Sequence, residues 1–238
     1  MISIRCASKH DDLQSLWRAC FPDDGSEFYF PEEYDPSRAL VAAEGDSPPV
    51  GALHYTLHTL ALEGQELTAA YTLGIGVLPD WQGQGLGGAL VRRLLEELRR
   101  QEIPLCFLLP GGKGLAGYYA HLGFLQPGLM PRLSPEIPAL PEAGPEDFPV
   151  LNALYEAQCA SVLHPRRSLE AWARIAREYR LCLGAGRYLA YDGDRLLEDS
   201  AAPLAPHPMG ACVRILDEAV ISREAIGKCG FYANLLHN

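Results

Sequence analysis

Gln82-Gly83-Gln84-Gly85-Leu86-Gly87-Gly88 concentrates glycine between an apolar run and a leucine-rich helix pattern. Glycine loses more backbone freedom on folding than any other residue, so a cluster of it has to serve a purpose. A helix that begins here leaves its first amides unsatisfied and carries the positive end of its dipole. Without Cβ atoms in the way, a phosphate can sit directly on those amides, with the Gln82 and Gln84 side chains as extra donors. The spacing alone is equally that of a tight turn with no ligand. It is neither a dinucleotide fingerprint at a chain start nor a nucleotide loop ending in Gly-Lys-Ser/Thr.

The run before it, "YTLGIGVLP", places Gly74 and Gly76 inside an apolar strand, where glycine marks a bulge or a close neighbour. A bulged strand that splays from the next one, "LCFLL", opens a slot walled by unpaired backbone N–H and C=O groups. A peptide-like molecule ending in a pyrophosphate fills such a slot, and coenzyme A is one. Two further groups carry proton or charge chemistry. His54 and His58 lie four apart in a strand and share a face, and either can relay a proton near neutrality. Glu27, Glu32, Glu33 and Asp35 sit with Phe28, Tyr29, Phe30 and Tyr34, a mixture suited to an ammonium-bearing acceptor and equally to a solvated loop pinned by aromatics.

The elements that must hold these residues follow from periodicity. "ISIRCA" predicts a strand, "KHDDLQSLWRACF" a helix, "SRALVAAEG" a strand, and residues 50–79 a long hairpin turning at Glu63-Gly64. Leu86, Leu90, Leu94 and Leu98, flanked by Val91 and Leu95, predict an amphipathic helix. "IPLCFLLP" predicts a buried strand and "GLAGYYAHLGF" a short helix turning into another strand. The fold class is therefore α/β with a mixed (α+β) sheet. A proline-rich connector runs from Pro127 to Pro149.

"GIGVLPDWQGQGLGGALVRRLLEEL" followed by "GYYAHLGF" resembles the core of the GNAT superfamily of acetyl-CoA-dependent N-acetyltransferases. Gln82 to Gly87 meets that family's [QR]-x-x-G-x-[GA] signature, and Tyr119 to Phe124 its Y-x-x-x-G-F pattern. The resemblance implies a GNAT fold over 1–135 and acetyl-CoA as co-substrate, without metal. It implies coenzyme contacts from Ile75, Gly76, Val77, Gln82, Gly83, Gln84, Gly85, Leu86, Gly87 and Gly88. It makes Tyr119 the general acid that protonates the departing thiolate, with Tyr118 beside it. The expected reaction is direct acetyl transfer to the primary amine of a small molecule in a ternary complex. A non-catalytic coenzyme A-binding regulatory or assembly module is the alternative.

The remainder, 136–238, resembles more faintly the enhanced-intracellular-survival type of acetyltransferase. There a degenerate second GNAT-like region precedes a sterol-carrier-like domain, and "RSLEAWARI" and "ACVRILDEAV" match the starts of the two. The chain then stops at Asn238, so that last segment is expected to be truncated. An internal echo agrees with a second, smaller, degenerate copy. Leu13-x-x-Leu16-Trp17-x-Ala19 matches Leu151-x-x-Leu154-Tyr155-x-Ala157, and residues 39–46 match 187–194.

Bulk properties narrow the partners. The 238 residues carry a net charge of −10, with 48% hydrophobic and 21% charged residues. That excludes nucleic acid and anionic membranes as main partners and suits cationic ones, such as amines. Neither a signal peptide nor a membrane span is expected, and a homo-oligomer is left open. Seven scattered cysteines, with no Cys-x-x-Cys and no metal-ligand spacing, fit reduced thiols in a cytoplasm.

Overall fold

A computed structural model describes residues 1–22, 29–45, 47–112 and 114–234. In chain order the first half runs β1 (Ile2–Cys6), α1 (Leu13–Cys20), α2 (Tyr29–Glu32), β2 (Ala39–Glu44), β3 (Gly51–Leu62), β4 (Gln65–Val77), α3 (Leu86–Arg100), β5 (Leu105–Leu108), α4 (Leu115–His121) and β6 (Gly128–Pro131). The second half continues with α5 (Phe148–Gln158), β7 (His164–Pro165), α6 (Leu169–Glu178), β8 (Arg180–Gly184), β9 (Arg187–Asp192) and β10 (Arg195–Asp199). It ends with β11 (Leu204–Pro206), β12 (Cys212–Ile215), α7 (Arg223–Cys229) and β13 (Phe231–Tyr232). No helix among the described residues is long and apolar enough to cross a membrane.

The main sheet has the order β1-β2-β3-β4-β5-β12, with the short β7 on β3. β1 to β4 form an antiparallel meander, β4 and β5 are parallel, and β12 is antiparallel to β5, so the sheet is mixed. The β3–β4 hairpin turns on Glu63 and Gly64, both with positive φ, as a two-residue turn matched to strand twist requires. Alternation along the strands sorts the two faces. Leu53, Tyr55 and Ala70 meet Leu90, Leu94 and Leu98 of α3 and Tyr119 of α4 on one side. Ala52, Ala39 and Val41 meet Leu13 and Leu16 of α1 on the other. The leucines spaced four apart thus form the buried stripe of α3, while its arginines and glutamates face outward.

Three features depart from the sequence reading. The strand in "ACVRILDEAV", expected to open a last region, pairs instead with β5 and closes the main sheet. The proline-rich connector contains β6, which holds β11 and β13 in a small sheet of their own. The third concerns the echo. α5 and α6 lead into the meander β8-β9-β10, and Glu142 bridges Cys182 of β8 antiparallel. This is the order of β1, α1, α2, β2, β3 and β4, in which β8 corresponds to β2. The match of 39–46 with 187–194 falls on β9, one strand late.

Candidate active site

The slot begins where β4 and β5 stop pairing. Their parallel ladder covers Ala69↔Leu105, Ala70↔Cys106 and Tyr71↔Phe107, yet β4 runs on for six more residues to Val77. Over that extension β4 is bulged. Leu73 faces His54 and Gly76 faces Ala52, so two β4 residues, Gly74 and Ile75, oppose the single Leu53. Gly74 has a φ of +57°, and a Cβ there would collide with the Trp17 ring of α1. The bulge is thus built from both sides: glycine supplies the left-handed turn and the room that Trp17 fills. At Gly76 a Cβ would lie 3.0 Å from Cys20 and 3.2 Å from Phe21, so that residue too is pressed by α1.

Beyond Val77 the chain makes a 3-10 turn, Pro79–Trp81, and enters the glycines. These divide into two kinds. Gly83 and Gly85 have φ of +75° and +78° with nothing within 4 Å of an added Cβ, so they serve conformation and border open space. Gly85 starts α3 in the left-handed region and gives no side-chain cap, which leaves the first-turn amides to other partners. Gly87 and Gly88 are helical and covered: a Cβ on Gly87 would stand 3.2 Å from the Tyr118 hydroxyl, and one on Gly88 3.3 Å from an Arg92 nitrogen. Gln82, expected to offer a donor outward, instead donates from Nε2 to the Val77 carbonyl at 2.9 Å and ties the loop to the strand end. Gln84 is exposed, and Leu86 and Ile75 are half-buried, Ile75 against the α3 core.

The two adjacent tyrosines of α4 have opposite settings. Tyr119 is 7% exposed and packs edge-on against Phe124 and Tyr118, whereas Tyr118 is 40% exposed. Burial, with Tyr118 and Cys212 nearby, pushes the Tyr119 hydroxyl up to about 12. It therefore holds its proton at neutral pH, as a proton donor must.

On the α1 face the histidines are neutral. Burial brings His54 down to about 4, and rings of Trp17, Tyr29, Phe30 and Tyr34 surround it at 5.4–5.9 Å. Its Nδ1 shares a 3.0 Å hydrogen bond with the Tyr29 hydroxyl. His58 is likewise brought down to about 4, by burial and then by Arg174. Its Nε2 meets Thr56 Oγ1 at 2.9 Å, and its ring packs on Tyr71 and Phe107, the last pair before the slot.

The acids of the aromatic loop are already engaged. Glu32 takes a bidentate pair of bonds from Arg177 of α6 at 2.9 and 2.8 Å, and Glu33 lies 3.6 Å from Arg174. Asp35 accepts from Ser37 N and Oγ at the start of a short 3-10 turn. Glu32 and Glu33 tie the loop to α6 of the second half, whereas Asp35 caps its own turn, so each of these three carboxylates is already engaged. Glu27 and Phe28 lie outside the described residues.

Comparison with known proteins adds the family context. A family model described as an acetyltransferase (GNAT) domain matches residues 4–126, just over half of the chain. A mycothiol acetyltransferase of Thermobifida fusca is 34% identical over 98 residues, which is 38% of this chain and 29% of that protein. The chain thus spans less than a third of that curated relative. Among solved structures, a GCN5-related N-acetyltransferase from Kribbella flavida superposes with a TM-score of 0.61 at 19% identity, covering 92% of this chain and 73% of the other. Eis1 from Mycobacterium abscessus gives 0.55 at 20% identity, covering 80% of this chain and 52% of its own. At these identities the structures establish a shared fold.

Proposed function

We propose, since this chain belongs to the acetyltransferase (GNAT) family, that it moves an acetyl group from acetyl-CoA directly to the primary amine of a small molecule. One observation carries the reading. β4 and β5 part at Tyr71 and Phe107, and the freed length of β4 leads straight into an open, uncapped glycine turn. A slot with backbone walls and a helix N-terminus at its end fits a molecule with amides along its arm and phosphates at its end.

Acetyl-CoA supplies the activated thioester. Ile75, Gly76 and Val77 line its arm through their backbone, and a fixed N–H near Val77 polarises the carbonyl. Gln82 acts by fixing the Val77 carbonyl, and so the strand end. Gly83 and Gly85, with Gln84, Leu86, Gly87 and Gly88 around them, present the amides of the first turn. Tyr119 gives its proton to the departing sulfur, and the proton that the acceptor amine loses on forming the amide leaves to water. His54 and His58, neutral at physiological pH, border the acceptor side. Because Glu32 and Glu33 are engaged with arginines, the acceptor amine meets aromatic rings and imidazoles more than those carboxylates.

Calorimetric titration of the whole chain with acetyl-CoA and with CoA tests this directly. One site per chain with micromolar affinity, followed by amine-dependent thiol release, is the expected outcome. Absence of binding removes the functional claim, and binding without turnover on any amine leaves a coenzyme A-binding module.

A further inference from the structure

The last strand of the main sheet reaches back to the helix that carries Tyr119. β12 pairs antiparallel with β5, Cys212 opposite Leu108 and Arg214 opposite Cys106. Side chains alternate along a strand, so Cys212 and Arg214 share one face. Cys212 sits on that face in the core that holds Tyr119 and Phe124, whereas Val213 and Ile215 belong to the core on the other. Arg214 donates from Nη1 to the Gly123 carbonyl at 2.8 Å, across 91 positions of chain.

What it grips is the end of α4. Gly123 has a φ of +82°, its amide donates to the Ala120 carbonyl at 2.9 Å, and the Phe124 amide donates to the Tyr119 carbonyl at 3.1 Å. In this kind of helix stop a left-handed glycine turns two amides back on the last carbonyls. The Leu122 amide also bonds the Tyr119 carbonyl, at 3.0 Å, so the turn holds the Tyr119 backbone directly. A Cβ on Gly123 would collide with the Arg214 guanidinium, which therefore lies against the bare Cα. Just beyond, Leu125 and Val213 exchange two backbone bonds at 2.7 and 2.9 Å.

Ion pairing does not explain this arginine. It is half-buried, has no carboxylate partner among the described residues, and leaves its Nε buried without an acceptor. Burial and the neighbouring Arg99 and Arg223 all work against its charge. An apolar side chain would fill the place at less cost to stability, so the bond to the turn is the reason for a guanidinium here. We propose that Arg214 is a positioning residue, which fixes the turn after α4 and thereby the Tyr119 hydroxyl at the point where the thiolate departs. The inference rests on the acetyl-transfer reading above and deepens it. The Tyr119 hydroxyl takes its character from burial, Tyr118 and Cys212. Arg214 therefore governs where the proton is offered, not how firmly it is held.

The experiment is steady-state kinetics beside CoA titration on the whole chain and its Arg214→Met, Arg214→Lys, Tyr119→Phe and Arg214→Met/Tyr119→Phe variants. Arg214→Met strands no carboxylate, so its thermal midpoint should stay close to that of the unmodified protein. Should it fail to fold, Arg214→Lys enters the same cycle with Tyr119→Phe. Arg214→Met should lower kcat about tenfold to a hundredfold, the scale of a misplacement of about 1 Å, while the Kd for CoA and the KM for the amine hold. Arg214→Lys, which still carries a donor, should recover part of the loss. In the Tyr119→Phe background Arg214→Met should change kcat no further, because the hydroxyl it aligns is gone. An unchanged kcat in Arg214→Met, a loss that persists in that background, or a loss seen in Kd overturns the proposal and leaves the acetyl-transfer reading standing. An unchanged kcat in Tyr119→Phe removes the residue being positioned, and the proposal with it. A protein that turns over no amine overturns both.

Discussion

Tyr119 and the two histidines illustrate how position converts side chains of ordinary reactivity into specialised ones. Tyr119 is held in the α3–α4 core and keeps its proton up to about 12, and in the proposed reaction it gives that proton to the departing sulfur. Tyr119→Phe should therefore lower kcat by roughly two orders of magnitude or more, the range for general acid catalysis, with little change in CoA affinity. Steady-state kinetics beside a binding titration checks this, and an unchanged kcat removes Tyr119 from the chemistry. His54 and His58 carry the opposite message. With folded values near 4 against 6.5 in the unfolded chain, the unfolded state binds more protons between those limits. Stability then rises with pH from about 4 to 6.5 and is lost as the pH falls through that window. The slope for each fully shifted imidazole is about 1.4 kcal/mol per pH unit. Thermal midpoints measured from pH 7 to 4.5 should fall along that slope, and NMR should show both imidazoles neutral at pH 6. An imidazole titrating near 6.5 would mean the aromatic enclosure of His54 is open.

At the scale of the element, the glycines of β4 and of the turn look alike in sequence and differ in what they do. Gly74 is fixed by a partner, the Trp17 ring, as well as by its φ; Gly85 is fixed by φ alone, with open space beyond it. Gly74→Ala should cost about 3 kcal/mol or more of stability, because the methyl group must displace a ring in a packed core. Gly85→Val should cost about 1–2 kcal/mol through backbone strain and yet abolish CoA binding, since the side chain would stand over the first-turn amides. Chemical denaturation and calorimetry on the two variants separate the effects, and retained affinity in Gly85→Val would detach the turn from the coenzyme. The amphipathic stripe of α3, the hairpin at Glu63-Gly64 and the interior strand glycines were legible in the sequence because each is a local pattern. The end of β4–β5 pairing at Tyr71 was not, since register depends on both strands. Nor was the engagement of Glu32 and Glu33, whose arginines lie more than a hundred residues away. Tyr118 and Tyr119 are adjacent and chemically identical, so only the packing of α4 on α3 distinguishes them.

The whole molecule is held by long-range crossings that composition and motifs do not announce. β12, from the last thirty residues, closes the sheet beside β5, while α6 grips the α2 loop through Arg177 and Arg174. Deeper in the second half, Arg167 is enclosed and donates to both oxygens of Glu198 at 2.9 and 2.8 Å and to the Asn234 carbonyl at 2.7 Å. Tyr188 and Tyr232 donate to the same carboxylate, and the guanidinium lies 3.9 Å over the Tyr155 ring. This cluster ties α6, β9, β10 and the C-terminal segment into one core. Because every charge in it is compensated, removing one partner is far worse than removing both. Arg167→Met leaves Glu198 buried without its cation and should destabilise the chain by about 3–5 kcal/mol, whereas adding Glu198→Leu should restore part of that loss. Since the same core carries α6, which clamps the loop beside His54, Arg167→Met should also loosen the acceptor side and raise the KM for the amine while the Kd for CoA holds. Denaturation of the single and double variants, run beside binding and kinetics, tests the coupling. A lower stability with an unaltered amine KM would make the second half a support for the sheet and nothing more.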